Sequence, residues 1–473
     1  MVEGILRGMD YGRELRDEKK ILRRKELVSK AQKYFAKVTK DPLRLAFDRK
    51  ITVHPFIKGL PLKPNEIQNT WQRLMYTLPS SLKRTAYFHI PFCETYCLYC
   101  GFYRYAYQEK EAEKYVEYLI QELKMAADMP YVSAAPIHAV YLGGGTPTAL
   151  SAKLLFKLLY AIKRYLPLAN DCEWTVEGRF YNFNEEKVKA CLEAGVNRFS
   201  LGVQSFDTQV RQKMGRKLRK EEVIERLKYL KSIDQAVIVI DLIYGLPYQS
   251  IAIWEKDIQI WLDLELDGVD LYELIVYQGG ALEKAVNAKR IAPPADLAKR
   301  AEMFALGKKI LEKACCRRLS QTHWSYGYRE RNAYNLLVKQ PSVCLPFGCG
   351  AAGWMEGYFF YITDDLKHYY RSLDKSQKPL AIGIQYPSYW LLLKEIESGI
   401  EQNACPLSKL SQKYKIDLLK IFSPLLIQWE KAGLIYFEDG WLKLTPAGEF
   451  WHVNLCQFLF NWFQEIIEKE DKG

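Results

Sequence analysis

The chain has 473 residues, of which 49% are hydrophobic, and a net charge of +12; it can bury a sizeable core, and its length predicts two or three folding units. No run of about 18 apolar residues occurs, which speaks against a membrane-spanning helix, and the charged start "MVEGILRGMDYGRELRDEKK" lacks the apolar stretch of a signal peptide. Eleven cysteines without an export signal predict a reducing, cytoplasmic setting, where thiols serve as ligands or core residues.

Residues 1–40 hold twelve Lys/Arg against six Asp/Glu, half of the net excess, a basic leader that reads as a solvated helical arm, with nucleic acid or an anionic membrane surface as the alternative; residues 1–80 read as a basic N-terminal extension. From Arg84 onward strand-like and helix-like stretches alternate. The strands are "TAYFHIPF", "IHAVYLGGG", "EWTVEG", "RFSLGVQS", "AVIVIDLIYGLP" and "GVDLYELIVY", each rich in β-branched or aromatic residues and ended by Gly, Pro or a polar turn. Between them lie amphipathic stretches such as "EAEKYVEYLIQELKMAAD" and "SAKLLFKLLYAIKRYL". Six such units predict an α/β fold with a parallel sheet, because parallel strands need crossovers. Six are too few for a closed eight-stranded barrel, so residues 81–280 are expected to form an open, partial (β/α)6 barrel that works at its strand C-terminal ends.

After residue 280 the alternation stops. Residues 281–380, with the helix "DLAKRAEMFALGKKILEKACC", the irregular "HWSYGYRERNAYN" and the glycine-rich "PFGCGAAGW", read as a substrate-binding and linking segment. Residues 381–473 give helices and then a hairpin turning at Asp439-Gly440, a winged-helix-like domain. It lacks a dense Lys/Arg recognition face, so a packing lid over the active site is expected and nucleic acid is not.

Cys93, Cys97 and Cys100 stand in "HIPFCETYCLYCGFYRY". Structural zinc wants four ligands, usually in two pairs. Three thiolates on a 4Fe-4S cluster leave one iron open to a small molecule. This spacing, with the aromatic Tyr99 before the last cysteine, resembles the signature of the radical S-adenosylmethionine (radical SAM) superfamily, and "HIPFC" resembles its branch of oxygen-independent coproporphyrinogen dehydrogenases and HemW heme chaperones. The resemblance covers residues 84–280 and, more weakly, the rest to the C-terminus. It implies a 4Fe-4S cluster on Cys93, Cys97 and Cys100 and SAM chelating the open iron, so that a reduced cluster breaks a carbon–sulfur bond and releases a 5'-deoxyadenosyl radical. By the same resemblance Gly143, Gly144, Gly145 and Thr146 of "GGGTP" lie by the methionyl amine, where glycines admit close backbone approach; a plain turn is the alternative. Glu177 faces the methionyl end or the ribose, Gln204 and Asp241 hold the ribose, Arg216 steadies the carboxylate, and Tyr87 leans toward the methionyl or porphyrin side.

Two departures narrow the function. The coproporphyrinogen dehydrogenases carry a further cysteine where this chain has Phe102, and the chaperones usually have Asp where it has Gly101. "CGFYRY", "HW...RERNAYN" and "PFGCGAAG" resemble most the anaerobic heme-degrading radical SAM methyltransferases, the ChuW/HutW branch. That resemblance implies a heme substrate, opened to a linear tetrapyrrole with SAM-dependent methylation and iron release, and electrons from a flavodoxin-type donor; decarboxylation of coproporphyrinogen III and heme chaperoning are the alternatives. The 14% aromatic content suits a tetrapyrrole. His323 is a candidate for contacting heme iron or moving a proton, or else a structural histidine beside Trp324. Arg329 and Arg331 are candidates for clamping propionates, or ordinary surface arginines. The "PFGCGAAG" loop is expected to approach a second SAM or the porphyrin edge, and Cys344 and Cys349 there, like Cys315 and Cys316, read better as small core residues than as a second metal site.

Overall fold

The computed structural model describes residues 28–51 and 54–470, so most of the basic leader lies outside the described residues. They divide into two compact units. One comprises Lys58–Asp296 and Leu306–Ser388; the other comprises the residues up to Ile57, Leu297–Ala305, and the chain from Tyr389. The segment expected as a single extension over 1–80 is therefore split between the two.

In the first unit the six expected strands appear as β1 (Lys83–Ile90), β2 (Ile137–Gly144), β3 (Leu168–Gly178), β4 (Arg198–Gln204), β5 (Val237–Tyr244) and β6 (Gly268–Glu273). Each pairs in parallel with the next. Their near-continuous apolar runs fit strands covered on both faces; all of Phe199 to Val203 in β4, for example, is buried.

The crossovers are helices whose ends the sequence marks. Helix α1 (Glu109–Ala127) turns Tyr115, Val116, Leu119, Ile120 and Leu123 onto the sheet, and α2 (Ala152–Tyr165) turns Leu154, Leu155, Leu158, Leu159 and Ile162, the i, i+3, i+4 stripe. Asn184 caps α3 (Glu185–Ala194) by accepting from Lys187 N, and Gly195 ends it in the left-handed region at φ 111°, as a C-terminal glycine does at low cost. Short α4 (Thr208–Lys213) precedes α5 (Lys220–Ile233), and Ser250 caps α6 (Ile251–Leu264), which buries Trp254 and Trp261.

The sheet continues beyond the six. After α7 (Leu297–Lys313), β7 (His323–Ser325) lies antiparallel to β6, and α8 (Ala333–Val338) follows; both fall in the stretch that reads as irregular. Strand β8 (Ser342–Phe347) lies parallel to β1, a seventh parallel strand hidden in the sequence by Pro346 and the glycines after it. Strands β9 (Ala352–Met355), β10 (Tyr358–Ile362) and β11 (Leu380–Gln385) extend that side antiparallel. The order β11-β10-β9-β8-β1-β2-β3-β4-β5-β6-β7, with Leu60–Pro61 and Arg317–Arg318 at its ends, does not close on itself.

In the second unit α9 (Trp390–Glu401), α10 (Leu407–Tyr414) and α11 (Leu418–Lys431) lead to a hairpin of β12 (Ile435–Glu438) and β13 (Trp441–Leu444), then α12 (His452–Glu470). Asp439 and Gly440 turn it with φ of 48° and 82°, the two positive values of a type I′ turn. N-terminal residues join this unit: Trp429 Nε1 donates to Tyr34 O at 3.0 Å and Ala36 N to Gln428 Oε1 at 2.7 Å. Among the described residues no helix is long and apolar enough to cross a membrane.

Candidate cluster and cofactor site

Cys93 ends a two-residue strand, Phe92–Cys93, held by Tyr105–Ala106, and the chain then loops through Cys97 and Cys100, with Cys100 N donating to Cys97 O at 3.1 Å. No thiol is in a disulfide. Cys93 Sγ lies 3.3 Å from Thr146 Oγ1, and Arg179 donates to Cys97 Sγ at 2.7 Å and to Thr95 O at 2.7 Å. Burial opposes ionisation of Cys97, yet Arg216 and Arg179 hold its thiol below the ordinary value, while burial raises that of Cys93 despite Thr146. Among the described residues no three His, Cys, Asp or Glu side chains converge on one point as a single-ion site requires. A three-thiol loop beset by guanidinium groups, with no fourth donor, fits a polynuclear cluster that carries net negative charge.

Of the other expected residues, Glu177 and Gln204 lie at the C-terminal ends of neighbouring strands, Asp241 lies three residues inside the end of β5, and Arg216 is in the turn after α4. Glu177, near the end of β3, accepts from Tyr141 Oη at 2.6 Å and from Gly144 N at 3.2 Å, and burial raises its carboxyl above the usual range. A Cβ on Gly143 would stand 2.8 Å from Glu177 Oε2, and one on Gly145 2.6 Å from Phe92 O. Gly144, in the left-handed region at φ 107°, and Gly145, set against backbone, are thus required by the chain's own packing. Gln204 ends β4 in the left-handed region, φ 72°, with its Oε1 buried and unbonded, an acceptor suited to a ligand hydroxyl. Asp241 on β5 lies across from Asp270; burial first, then Asp270 and Glu177, push its carboxyl up to about 7. Arg216 donates to Tyr99 Oη at 2.8 and 3.1 Å and to Gly202 O at 3.1 Å, tying the residue before Cys100 to the end of β4.

His323 lies beyond Asp241 with one strand between them, on the far side of Asp270. It is fully buried on β7 with Nδ1 2.9 Å from Asp270 Oδ2 and Nε2 3.3 Å from Glu330 Oε1. Burial would discharge it, but the two carboxylates hold its pKa up to about 9. Both ring nitrogens face anions, so neither is open to heme iron, and the iron-contact reading is corrected. Arg198 completes the cluster, its Nε 3.0 Å from Glu330 Oε2. Arg329 pairs with Asp234 and Asp267, and Arg331 with Asp171, residues that precede β5, precede β6 or open β3. Both arginines therefore sit at the strand N-terminal ends, opposite the cysteine loop, and a propionate clamp beside the cluster is not their place.

His89, Arg179, Tyr141 and Tyr334 are prominent here but were not singled out from sequence. His89 lies between two glycines: a Cβ on Gly144 would meet its ring at 2.6 Å and one on Gly350 at 3.4 Å. Its Nδ1 is 3.1 Å from Tyr87 Oη, and burial, then Arg104, lower its pKa to about 4, leaving the imidazole neutral. The "PFGCGAAG" loop thus packs on the chain itself; a Cβ on Gly348 would strike Tyr115 Oη and His89 O. Cys344 and Cys349 are buried; Cys344 Sγ lies 3.9 Å from Tyr334 Oη. The rings of Tyr141 and Tyr334 stack at 4.5 Å, with Tyr87 6.3 Å from each. "HIPF" flanking the first cysteine was the available signal for His89; the others have none in sequence.

The radical SAM superfamily model matches residues 87–259. The chain is 39% identical over 415 residues to the anaerobilin synthase of Escherichia coli O157:H7, covering 87% of this chain and 92% of that protein. It is 29% identical over 369 residues to the heme chaperone HemW of Bacillus subtilis (strain 168), covering 77% and 96%. Of solved structures, it resembles the Escherichia coli coproporphyrinogen III oxidase HemN with a TM-score of 0.72 over 83% of this chain and 93% of that one, at 21% identity; that likeness bears on the fold alone. The chain belongs to the radical SAM superfamily and, within it, to the family of the anaerobilin synthases.

Proposed function

We propose that this protein is an anaerobic heme-degrading enzyme that uses a 4Fe-4S cluster and SAM to open the porphyrin with methylation, giving a linear tetrapyrrole and free iron. The observation that carries this reading is the 39% identity with anaerobilin synthase over nearly the whole of both chains. Phe102, in place of a further cysteine, supports it over decarboxylation of coproporphyrinogen.

We assign the cluster to Cys93, Cys97 and Cys100. When bound, the reduced cluster supplies the electron that cleaves a carbon–sulfur bond of SAM. Around it, the backbone of Gly143 to Gly145 with Thr146 and Glu177 is assigned to the methionyl end, and Gln204 and Asp241 to the ribose. Arg216 holds Tyr99 in place and adds positive charge beside the cofactor carboxylate. The stacked Tyr87, Tyr141 and Tyr334 give an aromatic wall suited to a flat macrocycle, and the neutral His89 at its edge is able to accept a proton. A flavodoxin-type protein is the assigned electron donor and the cytoplasm the assigned compartment.

The HemW similarity favours one second reading, a chaperone that binds heme and passes it on intact. Anaerobic incubation of the reconstituted protein with SAM, a reductant and heme separates the two. Loss of the Soret band with 5'-deoxyadenosine and a methylated linear tetrapyrrole by mass spectrometry is expected; heme recovered unchanged and transferable would overturn the enzyme reading.

A further inference from the structure

The cysteine loop has an outer side as well as one facing the cofactor. There the turn after α4 lies directly on it: Leu98 N donates to Met214 O at 3.3 Å, and a Cβ on Gly215, φ 84°, would stand 2.5 Å from Tyr96 O. The turn "QKMGRKLRK" brings exposed Lys213, Lys217 and Arg219 to this place. Lys217 Nζ rests 4.6 Å over the ring of Tyr181 and 3.3 Å from its hydroxyl. Lys213 Nζ lies 5.6 Å over Tyr248. Among the described residues neither lysine is in an ion pair, whereas exposed Lys157, Lys189 and Lys231 of the same unit each have a carboxylate within 4 Å. Glu94, the acidic side chain on the loop itself, accepts from Asn182 at 2.7 Å.

Tyr96, Tyr181 and Tyr248 are all exposed at this face. Tyr96 is covalently next to Cys97, and Tyr181 follows by two residues Arg179, which bonds the Cys97 sulfur. The surface is thus joined to a cluster sulfur by one residue on one route and by a short hydrogen-bonded route on the other.

We infer that Lys213 and Lys217, with the tyrosine rings beside them, form the docking face for an acidic one-electron carrier protein. The inference rests on the assignment of the cluster to Cys93, Cys97 and Cys100. One electron leaves the carrier, which is oxidised by one equivalent, and enters the cluster, which is reduced by one; no atom or proton moves. An anionic partner meets two unpaired ammonium groups on a half-apolar aromatic face, an arrangement that steers encounter and fixes orientation more than it adds affinity.

The test uses the full-length protein with its cluster reconstituted. Bleaching of the cluster absorbance is followed in stopped flow with reduced flavodoxin and, separately, with reduced methyl viologen, a cation the lysines do not attract. For the wild type the flavodoxin rate should fall as salt rises. The double variant K213E/K217E should lose at least about tenfold of that rate at low salt and keep its viologen rate, with K213Q/K217Q between. Carbodiimide cross-linking of the wild type to flavodoxin should consume Lys213 or Lys217, which reads the face without any variant. A flavodoxin rate unchanged by charge reversal, or cross-links confined to other lysines, would overturn the docking face. Failure of the wild type to take up iron and develop the cluster absorbance, or full uptake by a variant with Cys93, Cys97 and Cys100 all replaced by Ala, would overturn the cluster assignment itself, and this inference with it.

Discussion

Arg179 donates to the sulfur of Cys97 at 2.7 Å from a strand end 82 residues further along the chain. A charged donor on a cluster sulfur favours the more negative, reduced state, so removing it lowers the reduction potential. Arg179→Met is expected to reconstitute a full cluster, since all three thiols remain, but with a potential more negative by tens of millivolts. Redox titration followed by electron paramagnetic resonance checks this. A potential equal to that of the wild type would mean that the contact is lost once the irons are in place.

Glu177 receives Tyr141 Oη and Gly144 N and is assigned to the methionyl end of SAM. Glu177→Gln keeps the shape and removes the charge. Losing the charge from a hydrogen bond of this kind costs about 1.5–3 kcal/mol, so SAM affinity by equilibrium dialysis should fall by roughly 10- to 100-fold. The cluster spectrum should stay as it was. An unchanged SAM affinity would remove Glu177 from the cofactor contacts.

How these residues became visible differs. Cys93, Cys97, Cys100, Glu177, Gln204 and Asp241 were legible because each sits in a short motif or at the end of a strand whose period and apolar run announce it. β8 was not, because "SVCLPFG" has the glycine and proline of a loop and its strand character comes from pairing with β1, 259 residues earlier in sequence. In the sequence His323 reads equally as a ligand, a proton carrier or a structural histidine, because its partners are not local. Asp270, Glu330 and Arg198 are separated from it by 53, 7 and 125 positions, and only the fold reveals that they enclose it. The same holds for Arg329 and Arg331, whose end of the sheet is set by topology and not by local sequence.

Gly145 separates a turn that merely tolerates glycine from one that requires it. Its ideal Cβ would lie 2.6 Å from Phe92 O and 2.9 Å from Ile90 O, both backbone atoms beside Cys93, and Gly145 N donates to Ile90 O at 2.8 Å. Backbone cannot swing aside as a side chain can, so Gly145→Ala should displace the first cysteine. Iron content after reconstitution is expected to fall while the circular dichroism of the fold persists. Gly195→Ala at the end of α3, where no atom lies closer than 3.6 Å, should lower stability by about 1 kcal/mol through its φ of 111° and leave iron content alone. Equal iron loss in both would show that global destabilisation, not the contact with Cys93, governs cluster assembly.

The buried pairs of His323 make stability depend on pH in a definite direction. Its pKa rises from the ordinary 6.5 to about 9 in the folded chain, so above pH 6.5 the native state holds a proton that the unfolded state has released. The stabilisation is fully present below about pH 6.5 and is lost as pH climbs through 9. Asp241, raised to about 7, acts in a lower window: its native proton is favourable at acid pH, and that benefit is gone above 7. Melting temperature measured from pH 6 to 10 should therefore decline, and the part of the decline above pH 7 belongs to His323. His323→Gln should cost about 3–5 kcal/mol near pH 6, because it leaves Asp270 without its cation, and should flatten the curve above pH 7. A variant whose melting temperature still falls as steeply between pH 7 and 10 would show that His323 is neutral in the folded protein and that another group carries the proton.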